Sequence, residues 1–103
     1  MAAYGAVLDA LGDPTRRAIF ELLAGGKKAV GELAEELPVS RPAVSQHLRV
    51  LKDAGLVTSE ARGTRRLYAV DAEGLDAVRT WIARFWDQTL VNLKELVEQE
   101  ESE

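Results

Sequence analysis

Four side chains that can donate hydrogen bonds share one side of the segment from Ser40 to Gly55. They are Arg41, Ser45, Gln46 and Arg49, and none of them is acidic. Donors grouped in this way suit a ligand that is rich in acceptor atoms, and the base edges and phosphates of DNA are such acceptors. The segment therefore indicates a surface that contacts nucleic acid.

The apolar residues on the other side of this segment indicate how it packs against the rest of the protein. Val44, Leu48 and Leu51 recur at i, i+4 and i+7, which predicts a helix with a narrow buried stripe. Ser40 suits the N-cap of that helix, and Gly55 suits the left-handed position after its last turn. We therefore expect one helix with an apolar side and a donor side.

A shorter helix is predicted just before it. Val30, Leu33, Ala34 and Leu37 lie on one stripe, and the turn 37–40 follows. Two short helices joined by a four-residue turn, with small Ala34 where they cross, are typical of a helix-turn-helix. Upstream, we predict one helix that ends near Gly12 and another that starts at Asp13-Pro14, with Asp13 as its N-cap.

After Gly55 the apolar period changes from 3.6 to 2, which predicts a β-hairpin. Its strands are residues 56–62 and 65–70, and Gly63-Thr64 suits a type II′ turn. This register places Arg62 opposite Arg65, with Arg66 beside them, and such like charges repel. An external anion such as phosphate would relieve the repulsion; the alternative is that the arginines splay into water.

The last predicted helix, from about residue 72 to 99 and capped by Asp71, carries more than one apolar stripe. About 28 residues span about 42 Å, which is more than so small a domain can cover. An overlong helix with excess apolar surface usually packs against a partner chain. The alternative use of the aromatic residues at Trp81–Trp86 is a pocket for a small organic ligand. The residues expected at a dimer interface are Tyr4, Val7, Leu8, Val78, Ile82, Phe85 and Trp86.

Composition limits the other functions. The 103 residues are expected to form one domain, without cysteine for disulfides or thiolate metal sites, and no apolar run reaches a membrane span of about 18 residues. We therefore expect a cytoplasmic protein with no membrane partner. The net charge of −4 hides a basic block, because residues 41–66 hold six Lys/Arg against two acids.

Catalysis is not expected. His47 is the only histidine, and neither a nucleophile motif nor a glycine-rich phosphate loop accompanies it. We expect His47 to pack or to contact backbone. The sequence predicts no enzyme and no cofactor.

Together these features resemble the winged-helix repressors of the arsenical-resistance repressor (ArsR) family over about residues 4–97. The matching motifs are Leu11-Gly12-Asp13-Pro14-Thr15-Arg16-Arg17 with Ile19 and Leu22-Leu23, Val30-Gly31-Glu32-Leu33-Ala34, Arg41-Pro42-Ala43-Val44-Ser45-Gln46-His47-Leu48 and Leu51-Lys52-Asp53-Ala54-Gly55-Leu56-Val57. The resemblance implies a mainly α winged helix-turn-helix of order ααααββα, dimeric through its first and last helices. It also implies a bacterial repressor of palindromic operator DNA.

By position in the family, each donor has an implied role. Arg41, Ser45 and Gln46 would face bases, and the phosphate contacts would be Ser40, Arg49, Arg62, Arg65 and Arg66. The chain departs from metal-sensing members, because the first helix of its helix-turn-helix has no cysteine and its last helix has no histidine. Asp76, Asp87 and Glu95 alone are too few and too hard for zinc. The sequence therefore indicates the branch without a metal site, with an unknown effector. The alternatives are a winged helix that binds protein, and a repressor gated by a small ligand near Trp81–Trp86.

Overall fold

The computed structural model describes residues 3–102, with the side chains of residues 5–101. The elements in chain order are α1 (Ala3–Leu11), α2 (Pro14–Ala24), β1 (Lys28–Ala29), α3 (Val30–Glu36), α4 (Arg41–Asp53), β2 (Val57–Arg62), β3 (Arg65–Val70) and α5 (Ala72–Ser102). The predicted mainly helical fold with a β-hairpin is confirmed. We call the β2–β3 hairpin the wing.

The structure has one strand that the sequence pattern does not predict. Lys28 and Ala29 form β1, which pairs antiparallel with β3 at the edge of a sheet of order β1-β3-β2. Two residues are too few for a period-2 pattern, so periodicity could not have revealed this strand. β1 ties the start of α3 to the wing.

The predicted helix caps are confirmed. The Arg16 N–H donates to Asp13 Oδ2 at 2.9 Å, and the Ala43 N–H donates to Ser40 Oγ at 3.3 Å. The Glu73 N–H likewise donates to Asp71 Oδ1 at 3.0 Å. Each capping oxygen satisfies a first-turn amide that has no partner within its helix.

The end of α4 is closed by a Schellman turn. Gly55 adopts φ 82°, the Leu56 N–H donates to Leu51 O at 2.9 Å, and the Gly55 N–H donates to Lys52 O at 3.0 Å. Leu56 and Leu51 are both fully buried, as the apolar contact of this motif requires. The left-handed glycine predicted here is confirmed.

The core lies where α4 packs against α1, α2, α3 and the base of the wing. Its fully buried large side chains are Val7, Ile19, Leu33, Val44, Leu48, Leu51 and Leu56. The predicted stripe of α4 supplies Val44, Leu48 and Leu51, each 0% exposed. Their burial fixes which side of α4 faces solvent.

Two residues assigned to the dimer interface belong to this core instead. Val7 is 1% exposed and Val78 is 8% exposed within a single chain, so that prediction is wrong for both. The reason is that α5 packs its first turns on α1, and these two side chains fill the contact. The side chain of Tyr4 lies outside the described residues.

We predict that replacing Gly74 with alanine strongly destabilises the protein. A Cβ at Gly74 would lie 1.8 Å from the Gly55 carbonyl oxygen, so α5 or the α4–β2 turn must shift. Forced overpacking of this kind costs about 1–3 kcal/mol or more. Urea unfolding at fixed protein concentration measures the change.

The matched control is Gly5→Ala in α1, where a Cβ would meet nothing within 4 Å. That variant should be neutral or gain up to about 1 kcal/mol, because glycine is a poor residue inside a helix. Equal stability of the two variants would contradict the close packing at Gly74.

Candidate nucleic-acid interface

The donor side of α4 is exposed as predicted. Arg41, Ser45, Gln46 and Arg49 all lie on the solvent side, while His47 is half-buried beside Leu48. Among the described residues, the four exposed donors make no hydrogen bond or ion pair within the chain. The donor groups of Ser45, Gln46 and Arg49 are therefore available to an external acceptor.

Arg41 lies across α3. A Cβ on Gly31 would lie 2.9 Å from Arg41 Nη2, so the guanidinium occupies the space that a side chain at Gly31 would fill. Arg41 also shares a groove with Glu32 and Glu35 on one side and Thr64 to Arg66 on the other. The arginine expected at a base edge is thus folded back between α3 and the wing.

The wing has the register predicted for it. Arg62 pairs with Arg65 across the turn, and Gly63 has φ 62° whereas Thr64 does not have a positive φ, as a type II′ turn requires. The expected repulsion between the two arginines is relieved inside the chain. Arg62 forms an ion pair with Glu60 at 3.3 Å, and Arg65 forms one with Glu32.

Glu32 connects three elements. Its Oε1 accepts from the Ala29 N–H at 3.0 Å, which caps the start of α3, and it also accepts from Arg65 of the wing. The Ala29 N–H and then the Arg65 charge lower the pKa of Glu32, against the opposing effect of partial burial. Glu32 is therefore ionised at neutral pH and holds Arg65 toward α3.

Glu60 on β2 is a second carboxylate that pairs with cations, in this case Lys27 and Arg62. Lys27 Nζ donates to Glu60 Oε1 at 2.8 Å, and this bond, followed by the charges of Lys27 and Arg62, lowers the pKa of Glu60. Both carboxylates are exposed, so each pair is screened by solvent. They orient the arginines more than they stabilise the fold.

Arg66 and Ser40, two further predicted phosphate contacts, form hydrogen bonds with neutral groups. Arg66 Nη1 donates to Ser59 Oγ at 3.1 Å, and Lys52 Nζ donates to the same oxygen at 3.0 Å. Ser40 Oγ is engaged as the cap of α4. Sequence reasoning did not select Lys52, although it follows Ser45 and Arg49 at i+7 and i+3 on one helix face.

The exposed side of α5 is separate from these donors. Leu8, Ile82, Phe85 and Trp86 are 40%, 42%, 60% and 56% exposed, and the rings of Trp81 and Phe85 stack with centroids 6.0 Å apart. Apolar side chains remain more than half exposed further along α5, at Leu90, Val91, Leu93, Leu96 and Val97.

Two further properties concern the described residues alone. Within residues 3–102, no helix has both the length and the apolar character needed to cross a membrane. In the same part of the chain, no three histidine, cysteine or carboxylate side chains are grouped as a metal site requires.

We predict that Arg65→Gln raises the pKa of Glu32 only part of the way to the ordinary glutamate value. The charge of Arg65 is lost, but the larger effect of the Ala29 N–H persists. Because the folded pKa lies below the unfolded one, the pair stabilises the fold at neutral pH and ceases to do so as pH falls through the folded pKa. Carboxyl NMR titration measures the shift, with Glu60 as the internal control. If the pKa of Glu32 is the same in Arg65→Gln as in the wild type, the ion pair does not form in solution.

The comparisons with known proteins agree with this geometry. The model of the family described as bacterial regulatory protein, arsR family, matches residues 13–59. The HTH-type transcriptional regulator Rv2034 of Mycobacterium tuberculosis is 58% identical over 91 residues, which are 88% of this chain and 85% of that protein. The transcriptional repressor SdpR of Bacillus subtilis is 35% identical over 79 residues, 77% of this chain and 88% of its own.

A solved structure is also similar. The homodimeric winged helix-turn-helix DNA-binding domain of Mb0332 from Mycobacterium bovis, a possible ArsR-family regulator, is 30% identical with a TM-score of 0.68. The match covers 85% of this chain and 82% of that one. Motifs, fold and relatives agree, and the chain belongs to the ArsR family of bacterial regulatory proteins.

Proposed function

We propose that this ArsR-family protein is a homodimeric repressor that binds palindromic operator DNA of its own or a neighbouring operon without sensing a metal. Family membership already confirms two predictions, that the chain is a DNA-binding transcription regulator and that it is not an enzyme. The observation that carries the proposal is the donor side of α4, exposed and without partners in the chain above a fully buried apolar stripe. Its place of action would be the cytoplasm.

The proposed base contacts are Arg41, Ser45 and Gln46. Gln46 can pair with the donor and acceptor of adenine, and Arg41 with the two acceptors of guanine. Arg41 must first leave its position over Gly31. The proposed phosphate contacts are Ser40, Arg49 and the wing arginines Arg62, Arg65 and Arg66. Phosphate contacts position the protein but carry no sequence information.

Selection of bound duplexes from a random DNA pool tests the proposal. The expected result is a palindromic consensus whose half-sites lie about 34 Å apart, one turn of DNA. Failure of the wild-type protein to retain any duplex would favour the winged helix that binds protein.

We predict that Gln46→Ala and Arg65→Ala affect DNA binding in different ways. Gln46→Ala should cost about 1–3 kcal/mol on the best operator and much less on a site changed at the contacted base pair. Arg65→Ala should weaken all duplexes equally and reduce the slope of log affinity against log salt by about 0.9 per subunit. Binding isotherms across a salt series separate the two effects.

Glu32→Gln should have the opposite effect to Arg65→Ala, because it frees Arg65 from its ion pair. Glutamine can still accept from the Ala29 N–H but no longer pairs with the arginine, so affinity for all duplexes should rise. A salt slope that Arg65→Ala leaves unchanged would exclude the phosphate role of Arg65. A loss for Gln46→Ala that is the same on every sequence would exclude base reading.

We predict that the protein is a dimer in solution through α1 and α5, and that Ile82→Asp with Phe85→Asp makes it monomeric. Both side chains are exposed in the single chain, and burying such side chains is worth about 1.5–3 kcal/mol each. Sedimentation at micromolar concentration measures the change. Val50→Asp on α4, where Val50 is 40% exposed, is the control that should remain dimeric. A stable wild-type monomer would contradict the dimer.

A further inference from the structure

Two cations from different elements share one neutral acceptor. Lys52 of α4 and Arg66 of the wing both donate to Ser59 Oγ, at 3.0 Å and 3.1 Å. A serine oxygen has two lone pairs, so these two bonds use its whole acceptor capacity. The ammonium and the guanidinium are thereby held within hydrogen-bonding distance of a single point.

No carboxylate of the described residues forms an ion pair with either cation. The two arginines at the tip of the wing differ in this respect, because Arg62 pairs with Glu60 and Arg65 pairs with Glu32. A hydroxyl satisfies hydrogen bonds but supplies no negative charge. Lys52 and Arg66 therefore remain two like charges that face one neutral atom.

Lys52 and Arg66 line a cleft between α4 and the wing, which we call the helix–wing cleft. Its lining residues are Ser45, Leu48, Arg49, Lys52, Asp53, Arg66 and Tyr68. Three of them are cations and Asp53 is the one carboxylate, so the lining is net positive. The lining also offers the hydroxyls of Ser45 and Tyr68 as further donors.

We infer that the helix–wing cleft binds one phosphate of the DNA backbone, shared by Lys52 and Arg66, with the phosphate replacing Ser59 Oγ as their common acceptor. A phosphate brings the charge that the hydroxyl lacks, and two cations on one anion make strong charge-assisted bonds. Ser59 acts as a positioning residue that keeps the two cations together before DNA arrives. The inference rests on the proposed DNA binding and names the atoms that receive the backbone.

The position of the cleft favours DNA over a free anion. Ser45, Arg49 and Lys52 follow one another at i, i+4 and i+7 on α4, so the cleft continues the donor face proposed to lie against the groove. A strand that contacts Arg49 would pass the cleft at the next phosphates. The same phosphate would then bridge α4 and the wing.

The first experiment measures the salt dependence of duplex binding for Lys52→Gln, Arg66→Gln and the double variant, with duplex from the selected pool as probe. If one phosphate is shared, the double variant loses about 0.9 of slope per subunit, and each single variant loses less because the other cation still holds the phosphate. Two separate phosphates would give about twice that loss, and this result would overturn the inference. Lys94→Gln on α5 is the control for the loss of one charge, and its slope should equal that of the wild type.

The second experiment tests the placement by Ser59. Ser59→Asp supplies an anion from within the chain, so it should lower affinity for every duplex and reduce the slope as much as the double variant does. Ser59→Thr retains the hydroxyl and should bind like the wild type, whereas Ser59→Ala should fall between them. Unchanged binding by Ser59→Asp, with a normal thermal unfolding curve, would refute the shared site.

A titration with inorganic phosphate at constant ionic strength distinguishes the source of the phosphate. Weak shifts of the Arg66 Nε–H resonance that duplex DNA reproduces at far lower concentration support the backbone. Perturbation by inorganic phosphate with normal duplex binding in the double variant would assign the cleft to a free anion instead. If the wild type binds no duplex at all, the proposed function fails together with this inference. If the wild type binds and the variants match it, only the inference fails.

Discussion

The turn at Gly55 and Leu56 is the constraint on which the arrangement of the other elements depends. The left-handed glycine ends α4, and the buried Leu56 anchors the first strand of the wing against Leu51. The Leu56 carbonyl accepts from the Asp71 N–H at 2.8 Å, immediately before α5 begins. The Gly55 carbonyl also lies where only glycine at position 74 leaves room. The positions of α4, the wing and α5 are therefore all fixed by the two residues Gly55 and Leu56.

This junction connects the two exposed surfaces for which a function is proposed. The donor face belongs to α4, and the exposed apolar surface belongs to α5. Because both helices meet backbone to backbone at Gly55 and Gly74, little flexible chain separates them. In the proposed dimer, the apolar surface would thus determine the spacing of the two α4 helices. A loose connection at this point would leave that spacing variable, which the proposed palindromic site would not tolerate.

Much of the fold could be predicted from the sequence, because it depends on local signals. The caps at Asp13 and Ser40 and the glycine at the end of α4 depend on neighbours within a few residues, so their residue types predict them. The features that were missed all depend on distant contacts. β1 exists because β3 offers it an edge, and Arg65 meets Glu32 across 33 positions of sequence. The assignment of Val7 and Val78 to an interface failed for the same reason, since periodicity identifies a buried side but not what buries it.

The electrostatics show why the net charge of −4 is compatible with a DNA surface. Glu95 to Glu101 lie at the far end of α5, at least 21 residues or about 32 Å along the helix axis from Gly74, which lies beside Gly55. Salt screens exposed charges over about 8–10 Å, so in one chain these glutamates act weakly on the helix–wing cleft. Asp53 is the one carboxylate in the lining of that cleft, while Glu32 and Glu60 lie outside the lining and each already pairs with a cation. The charge that a phosphate meets is consequently set by Arg49, Lys52 and Arg66, reduced by Asp53, and not by the total for the chain.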